Sequence, residues 1–323
     1  MENLKEIMEE VRRLFEDERF LYEPAELYEP IDYTLRLGGK RLRPALLLAT
    51  NQMMGGEKSK AGGAALGIET FHNFTLLHDD VMDKSPLRRG KPTVWTKWDE
   101  NTAILSGDTM YAMAWRFFLR EPHERLREIL DCFNETAIEV CEGQQYDMNF
   151  EKRDDVSMDE YMTMIRKKTA VLLAGAMKIG TMYAGADQRT QQRIYECGIN
   201  IGLAFQIQDD MLDAYADQTT LGKPVGQDIR DHKKTFMILK ALEICPEKER
   251  TDWRRKYDNP THNDETVKEI LTMYDRLEVK KAAEEETERL LEAADKELCA
   301  VEVSEERKKP LKELIGMLSG RKK

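Results

Sequence analysis

The sequence predicts an all-α, single-domain protein over residues 1–323, a bundle of roughly ten or more helices. Apolar residues recur at the spacing of one helix face along most of the chain, for example at Leu4, Ile7 and Val11. Alternating β-branched runs and Asn-Gly or Asp-Gly turns, which are typical of sheets and hairpins, are absent from the sequence. These observations together favour helices as the main structural element.

Turn-forming residues divide the chain into helices without a change in composition that would mark a second domain. Among the expected breaks are residues 84–93, 150–157 and 217–226. The pattern Ser157-Met158-Asp159-Glu160 is a capping box, so we expect a helix to begin there. The charged stretch Lys280–Lys296 is typical of a solvated amphipathic helix.

Composition limits the classes of partner and compartment. The formal net charge of −11 argues against binding to nucleic acid or to an anionic membrane. Residues 1–20 are too charged for a secretory signal, and the longest apolar run, Ala170–Met177, is too short to span a bilayer. The five cysteines have no C-x-x-C spacing. We therefore expect a cytoplasmic protein with reduced thiols and no integral membrane segment.

Two aspartate motifs of the form D-D-x-x-D carry the clearest chemical signal. We expect them on helices over residues 63–83 and 194–215, where the first and last carboxylates of each motif share one helix face. Two such faces turned toward each other would require cations, and Mg²⁺ binds carboxylates together with substrate phosphates. The motifs therefore predict a diphosphate held by Mg²⁺. The predicted metal ligands are Asp79, Asp80, Asp83, Asp209, Asp210 and Asp213.

A solvated acidic face is the alternative interpretation of either motif taken alone. Acidic side chains at a helix C-terminus are unfavourable against the helix dipole, which makes a purely structural role a poor explanation. The repetition of the motif in a second apolar helix favours the metal site further.

Basic residues accompany both motifs. Arg43, which follows the flexible Gly38-Gly39 turn and Lys40, offers a two-pronged donor for phosphate oxygens. Arg88 and Arg89 are adjacent, so each could serve a different diphosphate. His72 lies on the aspartate face of its helix, where we expect an anion ligand. An ordinary basic turn and a structural histidine are the alternatives. Further candidates near the second motif are Lys168, Thr169, Lys223 and Lys233.

These motifs resemble those of the trans-isoprenyl diphosphate synthases, the family that includes farnesyl and geranylgeranyl diphosphate synthases. The resemblance covers residues 35–240 and includes G-G-K-R-L-R-P, H-D-D-V-M-D, R-R-G-K-P-T, G-Q-Q-Y-D, K-K-T, F-Q-I-Q-D-D-M-L-D and G-K-P-V-G-Q-D in the family's order. It implies an all-helical isoprenoid synthase fold around a central cavity and a homodimer. The implied activity is the Mg²⁺-dependent condensation of isopentenyl diphosphate with a C5–C15 allylic diphosphate.

The resemblance also implies a role for each group of residues. Isopentenyl diphosphate would be bound by Lys40, Arg43, His72 and Arg89. Three Mg²⁺ ions would be held by Asp79, Asp83 and Asp209, with support from Asp80, Asp210 and Asp213. The allylic diphosphate would be contacted by Arg88, Lys168 and Lys233. Its pocket would be lined by Thr169, Gln206 and Lys223. The G-Q-x-x-D motif corresponds to Gly143, Gln144 and Asp147, which either support the site or mark a packed helix bend.

Product length is expected to depend on the helix before the first motif. In the family, the residues four and five positions before the first aspartate form the floor for the growing chain, and here they are Thr75 and Phe74. A small residue at the position nearer the aspartate, Thr75, and a phenylalanine at the farther one, Phe74, favour a C20 product over C15. Phe71 lies on the same helix and would line part of the tunnel. Packing of Phe71 and Phe74 in an ordinary core is the alternative.

Three other classes of protein fit the sequence less well. A class I terpene cyclase shares D-D-x-x-D but has a different second metal motif and does not need Lys40, Arg43 and Arg89. A non-catalytic subunit of a prenyl synthase would be expected to lose one acidic motif, and both are intact. A calcium-binding protein would carry a D-x-D-x-D-G loop, which is absent from the sequence.

Overall fold

The computed structural model of the chain describes residues 3–215, 226–259 and 263–319, and its architecture is all-α, as predicted. Lys223, one of the predicted site residues, lies outside the described residues. The helices are α1 (Leu4–Asp17), α2 (Ala25–Arg36), α3 (Leu42–Met54), α4 (Lys58–Met82), α5 (Val94–Lys97), α6 (Glu100–Phe118), α7 (Leu126–Phe150), α8 (Met158–Ile165), α9 (Val171–Tyr183), α10 (Gln188–Tyr215), α11 (Gln227–Arg230), α12 (Phe236–Ile244), α13 (Glu247–Tyr257), α14 (Asp264–Arg276), α15 (Val279–Cys299) and α16 (Glu305–Ser319).

The chain forms two compact units. The first unit comprises Met1–Asn134, Gly175–Tyr195 and Glu302–Leu314; the second comprises Glu135–Ala174, Glu196–Val301 and Ile315–Lys323. Within the described parts of the chain, no helix is both long enough and apolar enough to cross a membrane.

The core of the first unit is built on α4, which packs against α3 and α6. Two glycines of α4 permit the close approach of α6. A Cβ atom at Gly63 would lie 2.5 Å from the carbonyl oxygen of Phe117, and one at Gly67 would lie 2.7 Å from the ring of Phe118. Larger residues would push the helices apart, so this spacing fixes the helix that carries the first acidic motif.

A small hairpin follows α4 and was not predicted from the sequence. Strand β1 (Leu87–Arg88) pairs with β2 (Lys91–Pro92) in an antiparallel register. The two residues between the strands, Arg89 and Gly90, have φ angles of 53° and 73°. Positive φ at both central positions is typical of a type I′ turn, whose usual Asn-Gly or Asp-Gly signature is missing here.

The second unit contains an irregular segment that presents two predicted site residues. Helix α8 opens with the predicted capping box, in which Ser157 and Glu160 bond each other's backbone N–H groups. It continues into a π-helical turn, Arg166–Ala170, before α9 begins. Gly143 of α7 packs against this turn, because a Cβ atom there would lie 2.2 Å from the amide nitrogen of Lys168. Such π turns occur often at functional sites.

Candidate active site

The first acidic motif occupies the C-terminal end of α4, with Asp83 at the cap position. Asp79 is partly exposed and Asp83 is exposed, whereas Asp80 is buried. The Nε atom of Arg88 donates to both carboxylate oxygens of Asp80 at 2.9 Å. Arg88 therefore ties the hairpin to α4, and Asp79 and Asp83 are the carboxylates of this motif best placed to meet a ligand.

Arg43 and His72 form the centre of the predicted isopentenyl diphosphate site. The Nη1 atom of Arg43 lies 2.9 Å from Nε2 of His72. Burial, together with the positive charges of Arg43 and Arg89, holds the pKa of His72 well below its usual value of 6.5. A neutral imidazole can accept the hydrogen bond from Arg43. The buried Nε of Arg43 has no hydrogen-bond partner among the described residues, so the guanidinium retains donor capacity.

The Gly38-Gly39 turn brings Arg89 to the same cluster. The Nη1 atom of Arg89 donates to the carbonyl oxygen of Gly38. Gly39 has a φ of +133°, and a Cβ atom there would lie 2.9 Å from Cζ of Arg89. Any side chain at position 39 would therefore displace the guanidinium. Lys40 is exposed on this turn. The first unit thus brings Arg43, His72 and Arg89 together and carries Lys40 on the adjoining turn.

Glu69 is a buried carboxylate beside this cluster that the sequence analysis missed. Its side chain is 4 % exposed. Asn73 donates to its backbone carbonyl at 2.8 Å and to its Oε1 at 3.4 Å, and Oε2 has no partner among the described residues. Burial raises the pKa of Glu69, although the charges of Arg43 and Arg89 oppose the rise. The position of Glu69, one turn before His72 on the same helix, could have indicated that its carboxylate lies near the basic cluster.

The second acidic motif lies near the C-terminal end of α10. Asp210 is buried and accepts hydrogen bonds from the Tyr161 hydroxyl at 2.6 Å, the Phe236 amide at 2.9 Å and Gln206 at 3.1 Å. Burial raises the pKa of Asp210 to about 6 in spite of these bonds. Gln206 also accepts a bond of 3.0 Å from the Thr169 hydroxyl. This network orients Thr169, Gln206 and Asp210 as one group.

The other two aspartates of the second motif are more accessible. Asp209 is exposed, and Asp213 is partly exposed. One carboxylate oxygen of Asp213 accepts a 2.9 Å hydrogen bond from the amide of Asp228, so its side chain also orders the segment that begins α11. Asp209 therefore corresponds in accessibility to Asp79 and Asp83 of the first motif.

Lys168 and Lys233 meet at a single carboxylate. The Nζ atoms of Lys168 and Lys233 lie 2.6 Å and 3.6 Å from Oδ2 of Asp147, and Lys233 also bonds Glu151. Burial tends to raise the pKa of Asp147, but the two lysine charges together bring it below its usual value. The G-Q-x-x-D motif thus supplies a counter-ion for two predicted ligands of the allylic diphosphate, and Gly143 provides the space for the turn that carries Lys168.

The predicted chain-length residues lie in an aromatic cluster of the first unit. Phe71 is fully buried, with its ring centroid 5.4 Å from that of Phe133. Phe74 is half-buried and stacks on Tyr111 at 5.4 Å. Thr75 donates its hydroxyl to the carbonyl of His72 at 2.8 Å. Phe71 is therefore a core residue, whereas Phe74 retains accessible surface.

The donor set suits Mg²⁺. Asp79, Asp83 and Asp209 offer hard carboxylate oxygens on accessible positions, and Mg²⁺ commonly uses one or two carboxylates together with substrate phosphates. Within residues 3–215, 226–259 and 263–319, no three His, Cys, Asp or Glu side chains converge into a preformed metal cage. Carboxylates at these accessible positions fit an ion that binds together with a diphosphate.

The helical architecture and the two acidic motifs define an enzyme of the isoprenoid synthase class. A family model described as polyprenyl synthetase matches residues 24–274. The chain belongs to this family and is an isoprenyl diphosphate synthase.

Individual relatives agree with the family. The chain is 43 % identical to a short chain isoprenyl diphosphate synthase of Methanothermobacter thermautotrophicus over 70 % of each chain. It is 42 % identical to a geranylgeranyl diphosphate synthase of Sulfolobus acidocaldarius over 69 % of each. Among solved structures, a geranylgeranyl pyrophosphate synthase superposes with a TM-score of 0.94 at 42 % identity over the full length of both chains. The synthetase from Pyrococcus horikoshii gives 0.90 at 32 %, covering 99 % and 98 % of the two chains.

Proposed function

We propose that this chain condenses isopentenyl diphosphate with a C5–C15 allylic diphosphate in a Mg²⁺-dependent reaction, and that the favoured product is C20 geranylgeranyl diphosphate, with C15 as the runner-up. The observation that carries the proposal is the combination of two D-D-x-x-D motifs with two separate basic groups. One group contains Arg43, and the other contains Lys168 and Lys233. Two basic groups suit a reaction that uses two diphosphates.

The first basic group would bind and orient isopentenyl diphosphate. Arg43 and Arg89 present planar donors that match phosphate oxygens, and Lys40 adds a mobile charge at the exposed turn. Neutral His72 keeps one nitrogen as an acceptor for Arg43 and so fixes the guanidinium. Glu69 partly balances the positive charge when no ligand is bound.

The second group would act on the allylic diphosphate. Lys168, Lys233 and Arg88 would bind its oxygens, and Asp147 would hold both lysines ready. Three Mg²⁺ ions, when held by Asp79, Asp83 and Asp209 with support from the other motif aspartates, would supply Lewis acidity that neutralises the leaving diphosphate. The dipoles of Thr169 and Gln206, together with Lys223, would line the pocket of the allylic group.

The chemistry would proceed by ionisation, condensation and elimination. Lys168 and Lys233 would stabilise the charge that develops on the diphosphate as its C–O bond breaks. The double bond of isopentenyl diphosphate would attack the allylic cation, and holding both reactants in place can lower the barrier by about 7–11 kcal/mol. A proton would then leave the new intermediate for the released diphosphate. Water must be excluded, because it would quench the cation.

The preference for C20 is supported by the chain-length residues and by relatives. Phe74 keeps accessible surface and lies one position beyond the small Thr75. Relatives of 42 % identity include geranylgeranyl diphosphate synthases, and relatives of 40–41 % include geranylfarnesyl diphosphate synthases. Because overall identity separates these products poorly, the proposal relies on the side chain at position 74.

We further propose that residues 1–323 act as one functional domain, that the chain works as a cytoplasmic homodimer, and that its partners are the two diphosphate substrates. The family resemblance supports the dimer, and the net charge of −11 supports the absence of a nucleic-acid partner.

The test is Mg²⁺-dependent turnover in variants of the accessible aspartates. We expect Asp79→Ala and Asp209→Ala each to lower turnover of isopentenyl and allylic diphosphates by several orders of magnitude, while circular dichroism shows unchanged helix content. Asp131→Ala, which removes an exposed carboxylate, is the control. Near-normal turnover in either motif variant, or wild-type activity in the presence of a chelator, would refute the proposal.

A further inference from the structure

A cavity of about 970 Å³ in the second unit is not lined by the side chains predicted to bind substrate or metal, although one lining residue, Phe236, donates its backbone amide to Asp210. It is bordered by the start of α8 and by α12, α13 and α15. Much of its wall is apolar, including Val156, Met162, Phe236, Leu239 and Leu242. Its volume is at the upper end of the range typical of small-molecule sites, about 300–1,000 Å³.

Two arginines on α13 give this cavity a polar end. Arg250 and Arg254 are four residues apart, so their side chains project from the same helix face, and both line the cavity. The Nε atom of each is buried without a hydrogen-bond partner among the described residues. Among the described residues, the side chain of Arg250 makes only two long hydrogen bonds, from Nη2 to the carbonyl oxygens of Glu243 at 3.3 Å and Cys245 at 3.5 Å.

The carboxylates around the cavity do not neutralise these arginines. Within the described residues, neither Arg250 nor Arg254 has a carboxylate oxygen within 4 Å. Three carboxylates of the lining are already engaged: Asp258 with Lys234, Glu243 with Lys240, and Glu286 with Arg289. The lysine of the first pair is only 7 % exposed, so that pair is part of the wall rather than a free charge.

The remaining carboxylates of the lining lie at solvent-exposed positions, and one of them, Glu285, is 3.9 Å from Lys281. Asp154 and Asp159 are both exposed, and Asp159 is in the first turn of α8, where the helix dipole stabilises it. Charges in such positions are screened by water and salt. The cavity therefore combines an apolar wall with two guanidinium groups that can donate hydrogen bonds to an anion.

We propose that this cavity is a second binding site for an amphiphilic diphosphate, specifically a prenyl diphosphate. The diphosphate would accept hydrogen bonds from Arg250 and Arg254, whose buried Nε atoms have no partner among the described residues. The hydrocarbon chain would lie against Phe236, Leu239 and Leu242. The choice of a prenyl chain rests on the proposed function, because the enzyme would make molecules of this class. Arginine is well suited to the head group, since its planar donors match phosphate oxygens in pairs.

Calorimetric titration of the full chain with farnesyl diphosphate in the presence of EDTA tests the proposal. Binding to the metal-dependent active site is suppressed under these conditions, whereas the arginine site needs no cation. We expect saturable binding by the wild type and a loss of affinity of about tenfold or more in Arg250→Ala/Arg254→Ala. Arg255→Ala is the matched control, because this neighbouring arginine is 80 % exposed and is not part of the lining.

A second variant tests the apolar half of the site and keeps the result interpretable if the double variant folds poorly. Leu239→Trp fills the cavity and should also weaken the chelator-resistant binding, while inorganic diphosphate or farnesol alone should bind more weakly than farnesyl diphosphate. The proposal is overturned if the wild type shows no chelator-resistant binding, if folded Arg250→Ala/Arg254→Ala binds like the wild type, or if farnesol binds as well as its diphosphate.

Turnover assays on the same variants distinguish a failure of the second site from a failure of the proposed reaction. Turnover with Mg²⁺ should stay near the wild-type value in folded Arg250→Ala/Arg254→Ala, because neither arginine belongs to the active site. Absence of turnover in the wild type would refute the proposed function alone. Absence of binding in EDTA, with turnover intact, would refute the second site alone.

Discussion

The shared carboxylate of Asp147 allows a sharp test of how the two allylic-site lysines are held. Replacing Asp147 by Asn keeps the size of the side chain but removes its charge and places an N–H donor beside two ammonium groups. Lys168 and Lys233 lie 2.6 Å and 3.6 Å from the carboxylate in the wild type. In the variant the two ammonium groups would repel each other, with Glu151 left as a partner of Lys233, and the π-helical turn that carries Lys168 would lose its tether.

The size of the effect follows from burial. Removing one partner of a fully buried ion pair costs about 3–5 kcal/mol, whereas an exposed pair contributes about 0–1 kcal/mol. Asp147 is buried, but the lysine side chains are 28 % and 22 % exposed. We therefore expect a loss of about 1–3 kcal/mol in the free energy of unfolding. For activity we expect a fall of about 10–100-fold in kcat/KM for the allylic diphosphate.

Urea unfolding and steady-state kinetics with each substrate varied in turn measure both effects. The KM for isopentenyl diphosphate should change less than twofold, because its predicted ligands are elsewhere. Glu142→Gln is the control: this carboxylate of α7 pairs with Lys167 of the same turn, but is 50 % exposed. If Asp147→Asn were no more harmful than Glu142→Gln, or if it raised the KM for isopentenyl diphosphate instead, Asp147 would not be the residue that positions the two lysines.

Three further predictions address other parts of the site. Phe74→Ala should lengthen the main product by at least one C5 unit, which chromatography of the dephosphorylated alcohols detects; an unchanged product would place the floor elsewhere. The pKa of His72 in the folded protein is well below its usual value of 6.5. Below pH 6.5 the unfolded chain therefore binds more protons at this residue than the folded chain does. The free energy of unfolding of the wild type should fall on acidification by up to about 1.4 kcal/mol per pH unit. Urea unfolding of His72→Gln should show a weaker pH dependence in this range, and an identical slope would contradict the buried neutral histidine. Gly143→Ala should disturb the turn that carries Lys168 and lower kcat with the allylic substrate more than tenfold. Gly316→Ala is the control and should have little effect, because its new methyl group would meet nothing within 4 Å.

Much of the fold was predictable because helix periodicity is a local signal. The helices expected over 63–83 and 194–215 are present as α4 and α10, which begin a few residues earlier. The capping box predicted at Ser157 is also present in the structure. The hairpin after α4 was missed, because its I′ turn uses Arg89-Gly90 in place of Asn-Gly or Asp-Gly.

The site was predictable as a set of residue types but not as a set of contacts. Spacing alone could not show that Asp80 is paired with Arg88, or that Asp210 is enclosed by Tyr161 and Phe236. These contacts join residues that are distant in sequence or lie on different elements. Glu69 was missed for a related reason: on a helix that is buried on most sides, a single carboxylate gives no periodic signal.

The π-helical turn Arg166–Ala170 has a consequence for comparing this chain with others. A π turn holds one residue more than the α-helical turn it replaces, and each residue rotates a helix by about 100°. A relative that lacks one residue at position 166 or 167 would carry its counterparts of Lys168 and Thr169 on another helix face, even though its overall sequence would align well. A single-residue gap at position 166 or 167 is therefore a simple marker for chains whose allylic-site lysine and threonine project from a different helix face.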